Sequence, residues 1–147
     1  MTKSPSHRSE FTSVLDEHRH LRDLIRLLQL SVLHPHPNAN VTKRLLDELD
    51  SSLRGHFEHE ERGGYLHDAV SAAPQLATLA VHLLEEHADL LSTIVTLRRL
   101  CVSASENDDW SEFADAYAHF YRRFDEHEAS ENRLVQDAML RDMQAED

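Results

Sequence analysis

Apolar side chains recur every three or four positions along four stretches of the chain, the spacing that places them on one face of an α-helix. The face of the first stretch consists of Val14, His18, Leu21, Ile25, Leu28 and Val32. The face of the second consists of Leu45, Leu49, Leu53, His56 and Glu60. Pro35 and Pro37 end the first predicted helix, because proline lacks a backbone donor and restricts the residue before it. The second helix starts around Asn40, and Gly63 and Gly64 interrupt it.

Two further helices are predicted in the second half of the chain. Pro74 suits the first turn of a third helix, because its fixed φ fits that place. The face of the third helix consists of Leu76, Ala80, Leu83, His87, Leu90 or Leu91, Ile94, Leu97 and Cys101. Asp109 and Glu112 have the spacing of a capping box and open the fourth helix. Its face consists of Phe113, Tyr117, Phe120, Phe124, His127, Glu131, Leu134 or Val135, and Ala138.

Four long helices joined by short loops predict an all-α fold, an antiparallel up-down-up-down four-helix bundle. The chain of 147 residues is long enough for one domain with a substantial core. We expect the bundle to span residues 10–143, with a disordered N-terminal tail at residues 1–9 and a C-terminal tail at residues 144–147.

Charge and composition narrow the possible partners and the compartment. The net charge of −12 argues against binding to nucleic acid or to anionic membranes, which basic surfaces perform. The first ten residues have no apolar signal segment, and no apolar run is long enough to span a bilayer. The single cysteine, Cys101, cannot form an internal disulfide. We therefore expect a cytoplasmic monomer or weak homo-oligomer.

One motif occurs twice: a lone histidine, followed about forty residues later by a His-x-x-x-Glu pair. Its members are His18, His56 and Glu60 in the first half, and His87, His127 and Glu131 in the second. The second histidine follows the first by 38 residues in one half and by 40 in the other. The lone histidines are 69 residues apart and the two pairs are 71 apart. Histidines placed at random would rarely repeat such a spacing.

All six motif residues fall on the apolar faces of the predicted helices, where a polar group is costly unless something satisfies it. Histidine and glutamate four residues apart lie one turn apart on the same face. Four imidazoles and two carboxylates facing one core suit Fe, Mn or Zn, whereas Ca and Mg prefer oxygen ligands. Two metal ions bridged by Glu60 and Glu131 would satisfy both halves. Alternatively, the histidines are ordinary core residues and the pairs are surface ion pairs.

The segments that carry this motif resemble the hemerythrin-like (HHE cation-binding) domain. They are Asp16–Arg19, His56–Glu61, Glu85–His87 and His127–Glu131, and the resemblance extends from about Phe11 to Met139. It implies a hemerythrin-like four-helix bundle with two non-haem iron ions (Fe²⁺/Fe³⁺), bridged by carboxylates and by an oxo or hydroxo group. Ferritin-like di-iron bundles need Glu-x-x-His on two helices, and only Glu17–His20 comes near that pattern.

The sequence departs from oxygen-carrying hemerythrins at one ligand position. Those proteins have a second histidine one turn before the histidine of the third helix, and this chain has Leu83 there. His82 lies about 140° around the helix from His87 and would need a helical bulge to reach a metal. Tyr65 and His67 are the other candidates for a seventh ligand. Without one, coordination positions stay open on both metals, which weakens the case for a pure oxygen carrier.

Some acidic residues next to the candidate ligands have two interpretations. They either lie at the surface or orient imidazole N–H groups as outer partners of the metal ligands. These residues are Glu58, Glu61, Glu86 and Glu128.

Three functions remain open. The first is a di-iron protein that binds dioxygen or another small oxidant for sensing, storage or scavenging, with an unknown redox partner. The second is a di-iron enzyme that acts on peroxide or nitric oxide, or an iron donor for the repair of iron–sulfur centres. The third is a bundle that zinc stabilises, with a structural or interaction role. Metal identity discriminates among them, because zinc would exclude both redox functions.

Overall fold

The computed structural model describes residues 5–62 and 65–145, with side chains from Asp16 onward except those of Tyr65, Ala69, Ala72, Asp142 and Ala145. The elements are α1 (Pro5–Leu33), α2 (Ala39–Glu61), α3 (Tyr65–Ala72), a 3₁₀ turn (Pro74–Leu76), α4 (Ala77–Asn107) and α5 (Ser111–Ala145). The four long helices confirm the predicted all-α bundle. Among the described residues, no helix has both the length and the apolar character needed to cross a bilayer.

The helix bounds differ from the sequence-based expectation in the connection before α4. Pro74 lies in the 3₁₀ turn, and α4 begins after it at Ala77. Helix α3 is additional, and its eight residues are too few to show a helical period in the sequence. The predicted break at Gly63–Gly64 lies outside the described residues, as do residues 1–4 and 146–147. Helices α1 and α5 extend into both predicted tails, whose disorder stays a prediction.

Polar side chains and turn geometry define the helix ends near the loops. The side chain of Asn38 caps α2, because its Oδ1 accepts a hydrogen bond from the Val41 N–H at 3.0 Å. At the end of α4, Asp108 adopts a left-handed conformation with φ of 51°, and its N–H donates to the Ala104 carbonyl. Asp109 then accepts hydrogen bonds from both the N–H and the hydroxyl of Ser111, where α5 begins.

Contacts between neighbouring helices show that all four long helices are antiparallel to their neighbours. Between α1 and α2, His18 meets His56 and Ser31 meets Thr42, so the numbering rises on one helix as it falls on the other. The same rule holds for the other three helix pairs. The contacts are Asp47–Arg98 and Glu60–His87 between α2 and α4, Asp89–Arg123 and Glu86–His127 between α4 and α5, and Arg22–Glu128 and His18–Glu131 between α1 and α5. The topology is therefore up-down-up-down, as predicted.

The apolar interior consists of two clusters at different levels of the bundle. The main cluster draws on all four long helices and includes Leu28, Leu49, Leu97 and Phe120, each with no exposed surface. The small cluster consists of Leu66, Ala80, Leu83, Leu134 and Ala138. Three of the motif residues lie on α4 and α5, and along these helices they come between the two clusters, with Leu83 and Leu134 on one side and Leu90 and Phe124 on the other. The fold thus places the polar motif in an apolar enclosure.

Candidate metal centre

The six motif side chains lie together in one buried cluster. Their exposed fractions run from 1% to 7%. They form two overlapping groups that share both carboxylates: His18, His56, Glu60 and Glu131 in the first, and Glu60, His87, His127 and Glu131 in the second. In each group, one ligand atom per residue lies within 4.8 Å of all the others. Residues that are far apart in sequence therefore converge on two adjacent positions.

Four helices supply the six side chains of this cluster, because a helix places residues four apart on the same face. Helices α1 and α4 each contribute one histidine, His18 and His87. Helices α2 and α5 each contribute a histidine and a glutamate four residues later, and these two side chains share a face. The repeat in the sequence therefore becomes an approximate two-fold repeat in space.

Each carboxylate directs one oxygen to each group. Glu60 contacts His56 Nε2 through Oε1, while its Oε2 lies 3.1 Å from His87 Nε2. Glu131 places Oε1 3.6 Å from His18 Nε2 and Oε2 3.2 Å from His127 Nε2. His18 Nε2 and His56 Nε2 are 2.9 Å apart. Both glutamates thus have the orientation of carboxylates that bridge two metal positions.

The two carboxyl groups differ in charge when no cation is present. Burial and the nearby Glu60 carboxylate raise the pKa of Glu131 to about 11, so Glu131 holds a proton at neutral pH. Burial alone would also raise the pKa of Glu60, but its contacts with the imidazoles of His56 and His87 lower it instead. Burial, assisted by His56, lowers the pKa of His18 to about 4, which leaves this imidazole neutral. A neutral imidazole and a carboxylate are the forms that bind metal, and a cation would displace the proton of Glu131.

The residues of the cluster fit a pair of transition-metal ions. His87 Nε2, His127 Nε2 and Glu131 Oε1 are buried and make no hydrogen bond within the described part of the chain. Such a buried atom costs about 1–3 kcal/mol if nothing satisfies it. Cations at the two positions would satisfy all three atoms. The mixed imidazole and carboxylate set suits iron, manganese or zinc, and not calcium or magnesium.

Apolar and aromatic side chains enclose the cluster. The ring of Phe57 stacks on the imidazole of His87, with centroids 3.7 Å apart and planes 5° apart. Phe57 is 2% exposed and Leu83 has no exposed surface. Sequence reasoning missed the role of Phe57, because one residue beside a ligand cannot be assigned to a helix–helix contact from spacing alone.

Three glutamates contact the outer nitrogens of the imidazoles. Glu17 lies 2.6 Å from His56 Nδ1 and Glu61 lies 3.2 Å from His87 Nδ1, both at hydrogen-bond geometry. Glu86 lies 3.4 Å from His127 Nδ1, a longer ion-pair contact without a hydrogen bond. The sequence had indicated Glu61 and Glu86 for such a role but not Glu17. The signal for Glu17 was available, since it also adjoins a ligand in the chain.

The other two indicated glutamates do not contact an imidazole. Glu58 is exposed and pairs with Arg62, and the buried Glu128 pairs with Arg22 on α1. Burial raises the pKa of Glu128, although Arg22 opposes the shift.

The described candidates for a seventh ligand do not reach the cluster. His82 is 68% exposed and lies 3.3 Å from Glu86 on the surface of α4, which has no bulge there. His67 is exposed as well. The side chain of Tyr65 lies outside the described residues. Leu83 takes the inward position one turn before His87 and packs in the small cluster.

The fold and the cluster define a four-helix bundle with a buried centre able to hold metal cations. The model of the hemerythrin HHE cation-binding domain family matches residues 11–144. The chain therefore belongs to that family, as the resemblance in its sequence indicated. Comparison with curated proteins and with solved structures gives no match.

Proposed function

We propose that this chain is a non-haem di-iron protein that binds dioxygen or a related small oxidant. Cation binding follows from the family and from the two buried groups of histidine and glutamate. The finer proposal depends mainly on one observation: Glu60 and Glu131 each direct one oxygen to each group of imidazoles. Glu60 and Glu131 would therefore hold two ions jointly, as carboxylates do in di-iron carboxylate proteins.

The donor set favours a reactive metal over a purely structural one. Each position has two imidazoles and access to carboxylate oxygens, which resembles the two-histidine, one-carboxylate set of non-haem iron sites with open positions. Structural zinc sites are closed by four ligands and are commonly rich in cysteine. The one cysteine, Cys101, is buried in the main cluster, where its thiol lies 4.0 Å from the Ala39 carbonyl. Iron in such a centre supplies Fe(II)/Fe(III) cycling and a place for a small oxidant.

The chain's own side chains prepare the centre for this chemistry. Phe57 and Leu83 keep bulk water away from the imidazoles, because Phe57 stacks on His87 and the fully buried Leu83 lies one turn before His87 in the small cluster. Leu83 also withholds the ligand that a histidine would provide at that place, so more of the coordination sphere is left to an external molecule. This feature supports an oxidant-binding centre, including one that turns over peroxide or nitric oxide.

Metal analysis and optical spectra in air and after anaerobic reduction test the proposal. Two irons per chain and near-ultraviolet absorption that bleaches on reduction and returns with dioxygen are expected. Zinc as the only metal in the protein as isolated, or iron that is indifferent to oxidants, would overturn it. Return of the absorption with peroxide or nitric oxide but not dioxygen would favour the enzymatic alternative.

A pair of variants on different faces locates the site. His56→Ala removes an inward imidazole, and we expect loss of the two-metal stoichiometry. His119→Ala removes an exposed imidazole of α5 and is the matched control, with full stoichiometry expected. Full metal content in a folded His56→Ala variant would contradict the site assignment.

A further inference from the structure

The three outer carboxylates follow a single direction around the bundle. Each adjoins a candidate ligand in its own helix but contacts the imidazole of the next helix. Glu17 on α1 contacts His56 on α2, and Glu61 on α2 contacts His87 on α4. Glu86, also on α4, contacts His127 on α5. Three successive carboxylate–imidazole contacts therefore connect α1 to α2, α2 to α4, and α4 to α5.

A fourth contact of this kind, from α5 back to α1, is absent among the residues that the structure describes. The residue of α5 that corresponds to Glu61, 71 positions later, is Asn132, which is exposed and has no carboxylate. The buried acidic residue beside His127 is Glu128, which is 4% exposed and contacts Arg22 of α1. Its Oε2 accepts a hydrogen bond from Arg22 Nε at 3.2 Å instead of one from His18. Among the described residues no carboxylate contacts His18 Nδ1, and His18 is the most exposed of the six candidate ligands at 7%.

A carboxylate on the outer nitrogen of a ligating imidazole fixes its tautomer and orientation and increases its electron donation. Loss of such a partner typically costs about 10–100-fold in metal affinity. In the position between α4 and α5, both imidazoles have a carboxylate beside the outer nitrogen: His87 is hydrogen-bonded to Glu61, and His127 faces Glu86 at 3.4 Å. The position between α1 and α2 has one supported imidazole, His56, and one without this support, His18.

We infer that Glu17, Glu61 and Glu86 are positioning residues, and that the gap at His18 makes the two metal positions unequal. The α4–α5 position fills first and tightly, whereas the α1–α2 position fills second and releases its ion first. This inference rests on the proposed two-metal centre and adds an order of loading to it. Arg22 reinforces the inequality, because it brings a positive charge to the α1 side and pairs with Glu128, the buried carboxylate beside His127.

Anaerobic titration of the metal-free protein with Co²⁺ tests the order of loading without any redox activity. Visible absorption measures the affinity of each equivalent, and proton NMR detects the imidazole N–H signals that the paramagnetic ion shifts. We expect two successive equivalents, with the second bound about tenfold or more weakly. After the first equivalent, two shifted N–H signals are expected, from His87 and His127, because their carboxylate partners slow exchange with water.

Variants of the outer carboxylates identify each position. Glu86→Ala is expected to remove the His127 signal and weaken the first equivalent about 10–100-fold. Glu86→Gln, whose amide oxygen can accept a hydrogen bond from the imidazole N–H, is expected to recover much of that affinity. Glu17→Ala is expected to weaken the second equivalent alone. Glu85→Ala is the matched control, because Glu85 adjoins Glu86 but is exposed on α4, and it should leave both steps unchanged.

The outcomes separate this inference from the proposed function. Two equivalents of equal affinity, or a first step weakened by Glu17→Ala, would overturn the inequality and leave the di-iron proposal intact. Unequal cobalt sites in a protein whose native metal is zinc would uphold the inequality and overturn the oxidant-binding function. A folded protein that binds no cobalt would overturn both.

Discussion

Replacing Glu131 by glutamine is expected to stabilise the metal-free protein while it abolishes the two-metal centre. Glu131 is 1% exposed and lies beside the Glu60 carboxylate, and its pKa is raised to about 11 by burial and by that neighbour. The folded protein must therefore take up a proton that the unfolded chain does not carry at neutral pH. Glutamine has the same shape, is always neutral, and can donate to Glu60 through its amide as the protonated acid does.

The magnitude follows from proton linkage. An unfolded glutamate has a pKa of 4.5, so protonating Glu131 at pH 7 costs about 3 kcal/mol at 1.36 kcal/mol per pH unit. Below the unfolded pKa the acid is protonated in both states and costs nothing. The cost grows as pH rises from there until it approaches the folded pKa. Relaxation of the site reduces the gain, and we expect Glu131→Gln to add about 2 kcal/mol at pH 7, or about 5–8 °C in Tm.

Urea or thermal unfolding of chelator-treated protein between about pH 5 and pH 8 measures this effect. The variant's advantage is expected to grow with pH and to fall below about 1 kcal/mol at about pH 5. Glu85→Gln, at an exposed position on α4, is the control for a simple change of net charge. Equal stabilities at pH 7, or a difference independent of pH, would refute the reasoning. With iron present the order is expected to reverse, because only the wild-type protein gains binding energy on folding.

Two further substitutions distinguish effects on the metal centre from effects on the stability of the bundle. Leu83→His places an imidazole one turn before His87, in an apolar cluster, and we expect unfolding measurements to show the metal-free protein destabilised by about 1–3 kcal/mol. Because the imidazole adds a ligand, we also expect higher iron affinity and, by stopped-flow absorption, slower binding of the oxidant. Tyr117→Phe removes the hydrogen bond that the hydroxyl donates to the Ile25 carbonyl at 2.6 Å, and it should cost about 1 kcal/mol in urea unfolding with metal content unchanged. Faster oxidant binding in the first variant or metal loss in the second would contradict these expectations.

The fold and the six central residues were accessible from the sequence, because both depend on periodicity. An amphipathic helix repeats its inward face every three or four residues, so His18 and His87 could be placed on apolar faces without coordinates. Details of the same faces were less accessible. Leu45 was assigned to the inward face of α2, but Leu46 is the fully buried residue and Leu45 is only partly buried.

Contacts between helices are the part that spacing could not supply. The sequence places Glu17 beside His18, but it does not show that its side chain crosses to His56 on α2. The stacking of Phe57 on His87 also depends on the rotation of two helices about their axes. Short α3 escaped prediction because eight residues do not reveal a period, and its Leu66 packs through tertiary contacts.

The division of the interior into two clusters has a consequence for how the protein exchanges its metals. The small cluster joins α3 to the ends of α4 and α5 and contains few side chains, so its opening costs far less than unfolding around Leu28 and Leu49. Backbone amides near Leu66 and Leu134 are therefore expected to exchange with deuterium by local opening, while those near Leu28 exchange only on global unfolding. The same opening would give ions a route to the centre, and we therefore expect metal loading to have a rate of its own, separate from the folding of the bundle.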